Sequence, residues 1–260
     1  MQETALKMVN GGNVSLTIAV PVHEEAENIE KLVRTVEALV RLPHELAIVY
    51  DHDEDNTLPV VRALQSEFPN IKLMKNRFGS GKGVVNAVST GLYGTSSDFV
   101  CIMTADSTDP PDAVVRMYSL AQQGYDLVSG SRYSGGGKKY GGPWFQTVLS
   151  KCGNGVFCAL TGFPIGDPTY SLKMYSRGLL NEVKVEEDGG WALSFELSVR
   201  AYLQGFRMTE IGTVWVDRQL GESKFRLAGW FPVYAKWFFY GVWEINRRRW
   251  SGRISGAREA

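Results

Sequence analysis

Asp106 has more chemistry around it than any other residue. The stretch Phe99-Val-Cys-Ile-Met-Thr-Ala-Asp-Ser-Thr-Asp-Pro-Pro-Asp112 runs from a short apolar segment into Thr104, Asp106, Thr108 and Asp109. Short oxygen-bearing side chains at this spacing suit a hard cation or a polar ligand. A second cluster, Asp51, Asp53, Glu54 and Asp55, follows the apolar run Glu45-Leu-Ala-Ile-Val-Tyr50. One such cluster is ordinarily a solvated turn or a helix cap. Two of them on parallel neighbours would face the same sheet edge, and open α/β sheets bind ligands outside the carboxyl ends of their strands. A third candidate is Asn76-Arg-Phe-Gly-Ser-Gly-Lys-Gly83, in which Gly81 and Lys82 precede a helix whose first N–H groups suit an anion. Its spacing is not that of a Walker A loop, it does not follow the first strand as a dinucleotide fingerprint does, and a flexible turn explains it as well.

The elements that position these residues alternate in type. Ser15–Val20 is predicted as a first strand closed by Pro21, and Glu24, Glu25 and Glu27 load the start of a helix at its positive end. Ile29, Leu32, Val33, Val36, Leu39 and Val40 recur at helical spacing. Strands are predicted at 45–50, 71–74, 99–103 and 125–129, and helices at 60–68, 84–92 and 112–123. The stretch Ser134–Gly142, rich in glycine with two lysines, has the composition of a mobile functional loop. A helix around Trp144–Phe157, the segment Asp167–Tyr175, a helix around Trp191–Leu203 and one or two strands within Phe206–Val216 complete the pattern. Strand–helix alternation of this kind predicts an α/β fold with helices flanking the sheet.

Composition narrows the function classes. The 260 residues carry 28 basic and 28 acidic side chains, a balance with no electrostatic reason to bind nucleic acid. Cys101, Cys152 and Cys158 form neither a metal spacing nor an even disulfide set, which fits a reducing compartment. Residues 1–13 hold no apolar stretch of signal-peptide length and are expected to form a flexible tail.

The ordered motifs resemble the family 2 glycosyltransferases, and within them the polyprenyl-phosphate sugar transferases of the dolichol-phosphate mannose synthase type. Val20-Pro-Val-His-Glu-Glu-Ala-Glu-Asn-Ile29 resembles the family's opening Val-Pro-x-Tyr-Asn-Glu-x-x-Asn-Ile. Val49-Tyr-Asp-His-Asp-Glu-Asp-Asn-Thr57 resembles Val-Asp-Asp-Gly-Ser-x-Asp-Gly-Thr, and Met103–Asp112 resembles Met-Asp-Ala-Asp-x-x-x-Pro-Pro-Glu. Gly130-Ser-Arg-Tyr133 and Val216-Asp-Arg-Gln-Leu-Gly-Glu-Ser-Lys-Phe225 complete a series spanning residues 15–225. The resemblance implies a GT-A fold, a Rossmann-like mixed sheet flanked by helices, over residues 14–225. It implies that Pro21, Glu25 and Asp51 bind the nucleoside, and that Asp106, with Thr108, ligates Mg2+ or Mn2+ on the diphosphate. Arg132, Arg218, Ser223 and Lys224 would hold the diphosphate or the acceptor phosphate. The implied reaction is inverting transfer of mannose or glucose, from GDP-mannose or UDP-glucose, to a polyprenyl phosphate on the cytoplasmic face of a membrane.

Several positions depart from the family pattern. Tyr50 and Thr104 stand where it has acids, His23-Glu24 replaces Tyr-Asn, and an arginine expected near Gln146 or Thr147 is absent, with Lys151 as a substitute. Losing the carboxylate at Thr104 weakens metal affinity. Two alternatives follow. One is transfer to a soluble or saccharide acceptor, with a general base from Gly189–Glu196; the other is a nucleotide-sugar-binding subunit that has lost catalysis.

Residues 226–260 stand apart. Trp230, Phe231, Tyr234, Trp237, Phe238, Gly241, Val242 and Ile245 follow helical spacing, Phe239, Tyr240 and Trp243 form a second apolar face, and Arg247–Arg249 close the run. This composition predicts an amphipathic helix at a membrane interface, with Trp and Tyr at headgroup level and arginines on anionic lipid. A helix packed on the catalytic domain or in a homo-oligomer is the other use of such a surface.

Overall fold

A computed structural model describes residues 15–80, 82–106, 108–186, 188–218 and 227–252. Gly81, Ser223 and Lys224, expected at the site, and the N-terminal tail lie outside the described residues. In chain order the elements are β1 (Leu16–Pro21), α1 (Ala26–Leu39), β2 (Glu45–Tyr50), α2 (Thr57–Leu64), β3 (Ile71–Lys75), α3 (Val84–Tyr93), β4 (Phe99–Ile102) and α4 (Asp112–Gln122). They continue with β5 (Leu127–Ser131), β6 (Lys138–Tyr140), α5 (Trp144–Thr161), β7 (Lys173–Ser176) and α6 (Arg177–Glu182). A 3-10 turn at Gly190–Ala192 leads into α7 (Leu193–Leu203), then β8 (Met208–Gly212), β9 (Val214–Val216) and α8 (Leu227–Trp250).

Seven strands form one sheet in the order β3-β2-β1-β4-β7-β5-β8. All pairings are parallel except those of β7, which runs antiparallel between β4 and β5. The central strands are buried on both faces, as their unbroken apolar runs require. Alternation divides them between two cores. Leu16, Ile18, Val20, Leu46, Ile48 and Cys101 face α1, α2 and α4, whereas Ala19, Ala47, Val100 and Ile102 face α3 and α7. The alanines let α3 approach closely. A Cβ on Gly91 of α3 would come within 2.7 Å of the Ala19 methyl.

One segment differs from its expected form. The glycine-rich stretch 134–142 contains β6, which pairs with β9 as a separate two-stranded sheet. The segment 206–216 therefore divides between two sheets. β7 has too few residues to show a strand period, and its pairing to β4 and β5 rather than its own sequence defines it.

α8 packs against α5 and α7. Its helically spaced stripe turns inward: Trp237 and Ile245 are buried with Phe157 of α5, and Phe157 stacks edge-on or tilted with Phe195 and Phe238. The second face, with Phe239 and Trp243, stays exposed. Apolar residues on both faces make α8 a packed helix of weak amphipathicity. Glu244, buried within it, pairs with Arg247 and Arg248 at 2.6 Å. Among the described residues no helix is long and apolar enough to cross a membrane.

Candidate active site

The carboxyl ends of β1, β2 and β4 open on a cavity of about 1690 Å3. Pro21, Glu25, Asp51, Lys82, Asp106, Thr108, Arg132 and Arg218 all line it. The sheet order explains the gathering, because β2, β1 and β4 are adjacent and parallel, so their ends share one edge.

Asp106 is held by its neighbours. The Thr108 hydroxyl donates to Asp106 Oδ1 at 2.8 Å, and Thr108 is buried, so this hydroxyl orients the carboxylate. Asp109 turns inward. Its Oδ2 accepts the Thr104 N–H at 3.0 Å and the Thr104 hydroxyl at 2.9 Å, and its Oδ1 accepts the Tyr170 hydroxyl at 2.7 Å. Burial pushes the Asp109 carboxyl up, and the bonds from Tyr170 and Thr104 oppose that rise. Thr104 thus has a physical role at the position where the family carries an acid: it supplies two donors to a buried carboxylate. Asp106 and Thr108 both line the cavity and are bonded to each other, and they offer hard oxygen atoms of the kind that Mg2+ or Mn2+ takes.

The acids of the second cluster have separate roles. Asp51 joins two turns, with Oδ1 accepting from Asn76 Nδ2 and Oδ2 from the Gly83 N–H, each at 2.8 Å. Asp53 pairs with Lys75 on the surface. Asp55 is buried and accepts the N–H groups of Glu24 and Thr57. Thr57 Oγ1 accepts from the Glu25 N–H at 2.9 Å, and Asn56 Oδ1 from the Ala26 N–H at 3.2 Å. The turn after β2 therefore caps the start of α1, satisfying N–H groups that no helical bond can reach. Glu25, so placed, accepts two bonds from Arg218 Nη2 at 3.0 and 3.2 Å. His23 and His52 also line the cavity, and with Asp55 they bring three potential metal-ligand atoms within 4.8 Å of one another, a group that does not include Asp106.

Arg132 stands at the end of β5 and makes a bidentate pair with the buried Asp167, at 2.8 and 2.9 Å. Asn154 donates to the same carboxylate at 2.8 Å. Burial alone would raise the Asp167 carboxyl, but Arg132 outweighs it and holds the group below its usual range. The Arg132 guanidinium lies 4.8 Å over the Tyr170 ring, so this pair and the Asp109 network share a side chain.

Sequence reasoning missed Lys139 and Asp188 as lining residues. Lys139 Nζ donates to Thr147 Oγ1 at 2.7 Å and sits 4.9 Å over the Trp215 ring. It supplies a cation beside the position where an arginine was expected, whereas Lys151 is exposed. Partial burial, then repulsion from Arg132, lowers the Lys139 pKa. The signal was the lysine pair in the glycine-rich stretch, but only the β6–β9 pairing aims one of them inward. Glu196, within the segment expected to hold a base, is fully buried, accepts the Glu186 N–H at 2.8 Å and lies 3.1 Å from Arg200. Asp188, one position before that segment, lines the cavity.

At its other end the cavity turns apolar. Leu149 and Gly153 of α5 and Trp230, Phe231, Phe238 and Phe239 of α8 line it there. The Trp230 ring lies on Gly190, where a Cβ would come within 2.0 Å of the indole, and φ at Gly190 is +56°. α5 also exposes Trp144, Phe145, Val148 and Val156, and α8 exposes Phe239 and Trp243.

Comparison with known proteins agrees with this arrangement. The chain is 26% identical over 249 residues to a dolichol-phosphate mannosyltransferase of Pyrococcus furiosus, covering 93% of this chain and 66% of that protein. It is 28% identical over 212 residues to a polyprenol monophosphomannose synthase of Mycolicibacterium smegmatis, covering 80% of this chain and 79% of the relative. Among solved structures, a glucosyl-3-phosphoglycerate synthase of Mycobacterium tuberculosis, in complex with Mn2+, UDP-glucose and phosphoglyceric acid, superposes with a TM-score of 0.64 at 17% identity, over 89% of this chain and 80% of that one. That likeness shows the GT-A fold. The sequence matches the profile of glycosyl transferase family 2 over residues 17–184, well over half its length. The chain belongs to glycosyl transferase family 2.

Proposed function

We propose that the protein is an inverting glycosyltransferase that moves mannose or glucose from a nucleotide-sugar to a polyprenyl phosphate, working as a peripheral protein on the cytoplasmic face of a membrane. The observation that carries this reading is the single cavity. It joins the acids and cations at the sheet edge to an aromatic mouth between α5 and α8. A donor needs the first end and a lipid phosphate needs both. Relatives named for transfer to dolichol and polyprenol phosphates support the same acceptor class.

In this reading Pro21, Glu25 and Asp51 hold the nucleoside, and Asp106, oriented by Thr108, faces the diphosphate. A divalent cation bound there supplies positive charge for the leaving diphosphate. Lys139 adds fixed positive charge nearby, and Arg218, paired with Glu25, ties the chain after β9 to the start of α1. Arg132 is neutralised by Asp167, so its part is to fix the end of β5 and the Tyr170 ring. An oxygen of the acceptor phosphate attacks the anomeric carbon, the bond from that carbon to the diphosphate breaks, and nucleoside diphosphate leaves. The acceptor phosphate is already anionic at neutral pH, so no side chain has to remove a proton. That removes the need for Asp188 as a base, which a hydroxyl acceptor would require.

The test is incubation of purified protein with Mn2+, labelled GDP-mannose or UDP-glucose, and undecaprenyl or dolichyl phosphate, followed by counting label in the organic phase. Metal-dependent label in the organic phase is the expected result. Label only in water-soluble product, lost in Asp188→Asn, would replace this reading with transfer to a hydroxyl acceptor.

A further inference from the structure

The sequence holds three histidines, and two of them meet at one place. His23 follows β1, and His52 follows β2, its parallel neighbour. Their rings stand edge to face with centroids 5.8 Å apart. Asp55 lies beneath them, 1% exposed. One ligand atom from each of the three residues lies within 4.8 Å of the others. His44, the third histidine, is buried elsewhere against the Leu42 carbonyl and Glu37.

The backbone is shaped to bring this group together. Glu24, between His23 and Glu25, has φ of +57°, and among the described residues it is the one non-glycine residue with positive φ. That conformation is costly for a residue with a Cβ and persists only where its surroundings enforce it. Here it directs the Glu24 N–H onto Asp55 at 3.2 Å and places His23 beside His52. Two further carboxylates flank the rings. Glu24 Oε1 is 3.7 Å from His52 Nε2, and Glu54 Oε2 is 3.8 Å from His52 Nδ1. Two imidazoles amid three carboxylates make an anionic, mixed nitrogen–oxygen pocket.

We propose that His23, His52 and Asp55 form a binding site for Zn2+. Imidazole nitrogen with one carboxylate oxygen is a donor set for Zn2+ rather than for Mg2+ or Mn2+, which prefer oxygen. With bonds of about 2.0–2.1 Å, ligand atoms of a tetrahedral ion lie roughly 3.3–3.5 Å apart. Rotation of the two partly exposed rings closes the remaining distance, with Asp55 fixed by its backbone bonds. The fourth position falls to water, with Glu24 next in reach. This site is separate in residues and in chemistry from the hard-cation position at Asp106. His23 and His52 also line the cavity, so a zinc ion there occupies the end where the proposed function places the nucleoside. A zinc-loaded chain therefore excludes its donor, a consequence that rests on that reading, whereas the binding does not.

Isothermal titration of the tag-free full chain with ZnCl2 tests the site, with Co2+ absorption as a spectroscopic report of nitrogen–oxygen ligation. The expected result is one equivalent bound, weakened at least tenfold by His23→Ala and by His52→Ala, and unchanged in Asp106→Asn and Cys152→Ser. His23 is exposed and His52 half-buried, so circular dichroism of the alanine variants should match the parent. Zinc binding that survives the double histidine change, or that is lost in Cys152→Ser, would overturn the proposal, as would no binding at all. The sugar-transfer assay supplies a second readout: Zn2+ in excess Mg2+ should lower the parent's rate and leave the double variant at its own zinc-free rate, whatever that rate is. Zinc bound without inhibition would keep the site and remove the blocking role.

Discussion

Tyr170→Phe isolates the network that holds Asp106 in place. The change deletes one hydroxyl and no carbon, so it opens no sizeable cavity. The lost bond is the 2.7 Å contact to Asp109 Oδ1. Asp109 is 2% exposed and Tyr170 is 3% exposed, so water cannot replace the donor. A hydrogen bond to a charged buried group is worth about 1.5–3 kcal/mol. The expected loss is therefore about 2 kcal/mol, roughly a thirtyfold fall in the ratio of folded to unfolded protein. Urea denaturation at pH 7, followed by circular dichroism, reads this directly. The same change removes one of the bonds that oppose burial at Asp109, so its carboxyl should rise further. The folded carboxyl then takes up its proton at a higher pH than the unfolded one, so protonation favours the folded chain, and the gap in stability between variant and parent should narrow as pH is lowered from 7. A loss below about 0.5 kcal/mol would refute the account, since it would mean that Asp109 gains little from Tyr170.

Other consequences follow from the same geometry. Thr104→Asp, which restores the family's acid, should cost about 1–3 kcal/mol, because it replaces two donors to Asp109 by a repelling carboxylate; thermal denaturation compared with Thr104→Ser checks it. Asp106→Asn should lower sugar transfer at least a hundredfold while its melting temperature stays near that of the parent. Glu244 is held at about 2 by hydrogen bonding to Arg247, with Arg248 adding to it. That stabilisation is complete above the unfolded value of 4.5 and is lost as pH falls through about 2. Glu244→Gln should therefore be less stable at pH 7 by about 1 kcal/mol, given its half-exposed partners, with the gap closing across that acid window in urea titrations. Trp144→Ser and Trp243→Ser, both on exposed faces, should each weaken sedimentation with anionic liposomes about tenfold, from about 1–2 kcal/mol of aromatic transfer; unchanged pelleting in the double variant would remove the membrane-docking reading.

The strands and the position of Asp106 were legible because their signals are local. β1, β2 and β4 are apolar runs that stop at Pro21, Asp51 and Thr104, and unbroken runs of this length mark strands buried on both faces. The pairings that define the site are not local. Glu25 meets Arg218 across 193 positions, Tyr170 meets Asp109 across 61, and Arg132 meets Asp167 across 35. Nothing in the spacing of these residues reports them. Arg132 reads as an anion-binding cation from its motif, but only the fold shows that Asp167 already neutralises it. The acids after β2 look alike in sequence, yet Asp51 lines the cavity, Asp55 caps and Asp53 faces solvent. α8 shows the same limit. Its helical period was plain, but the close approach at Gly241, where a Cβ would meet the Phe157 ring at 2.8 Å, is a property of two helices.

The most direct test of the central claim is phosphorus NMR of a complete reaction mixture containing Mg2+, nucleotide-sugar and polyprenyl phosphate. The predicted spectrum shows the phosphomonoester signal of the lipid converted to a phosphodiester, one for each nucleoside diphosphate released, and none of this in Asp106→Asn. Release of nucleoside diphosphate with the lipid phosphomonoester unchanged would contradict a polyprenyl phosphate acceptor.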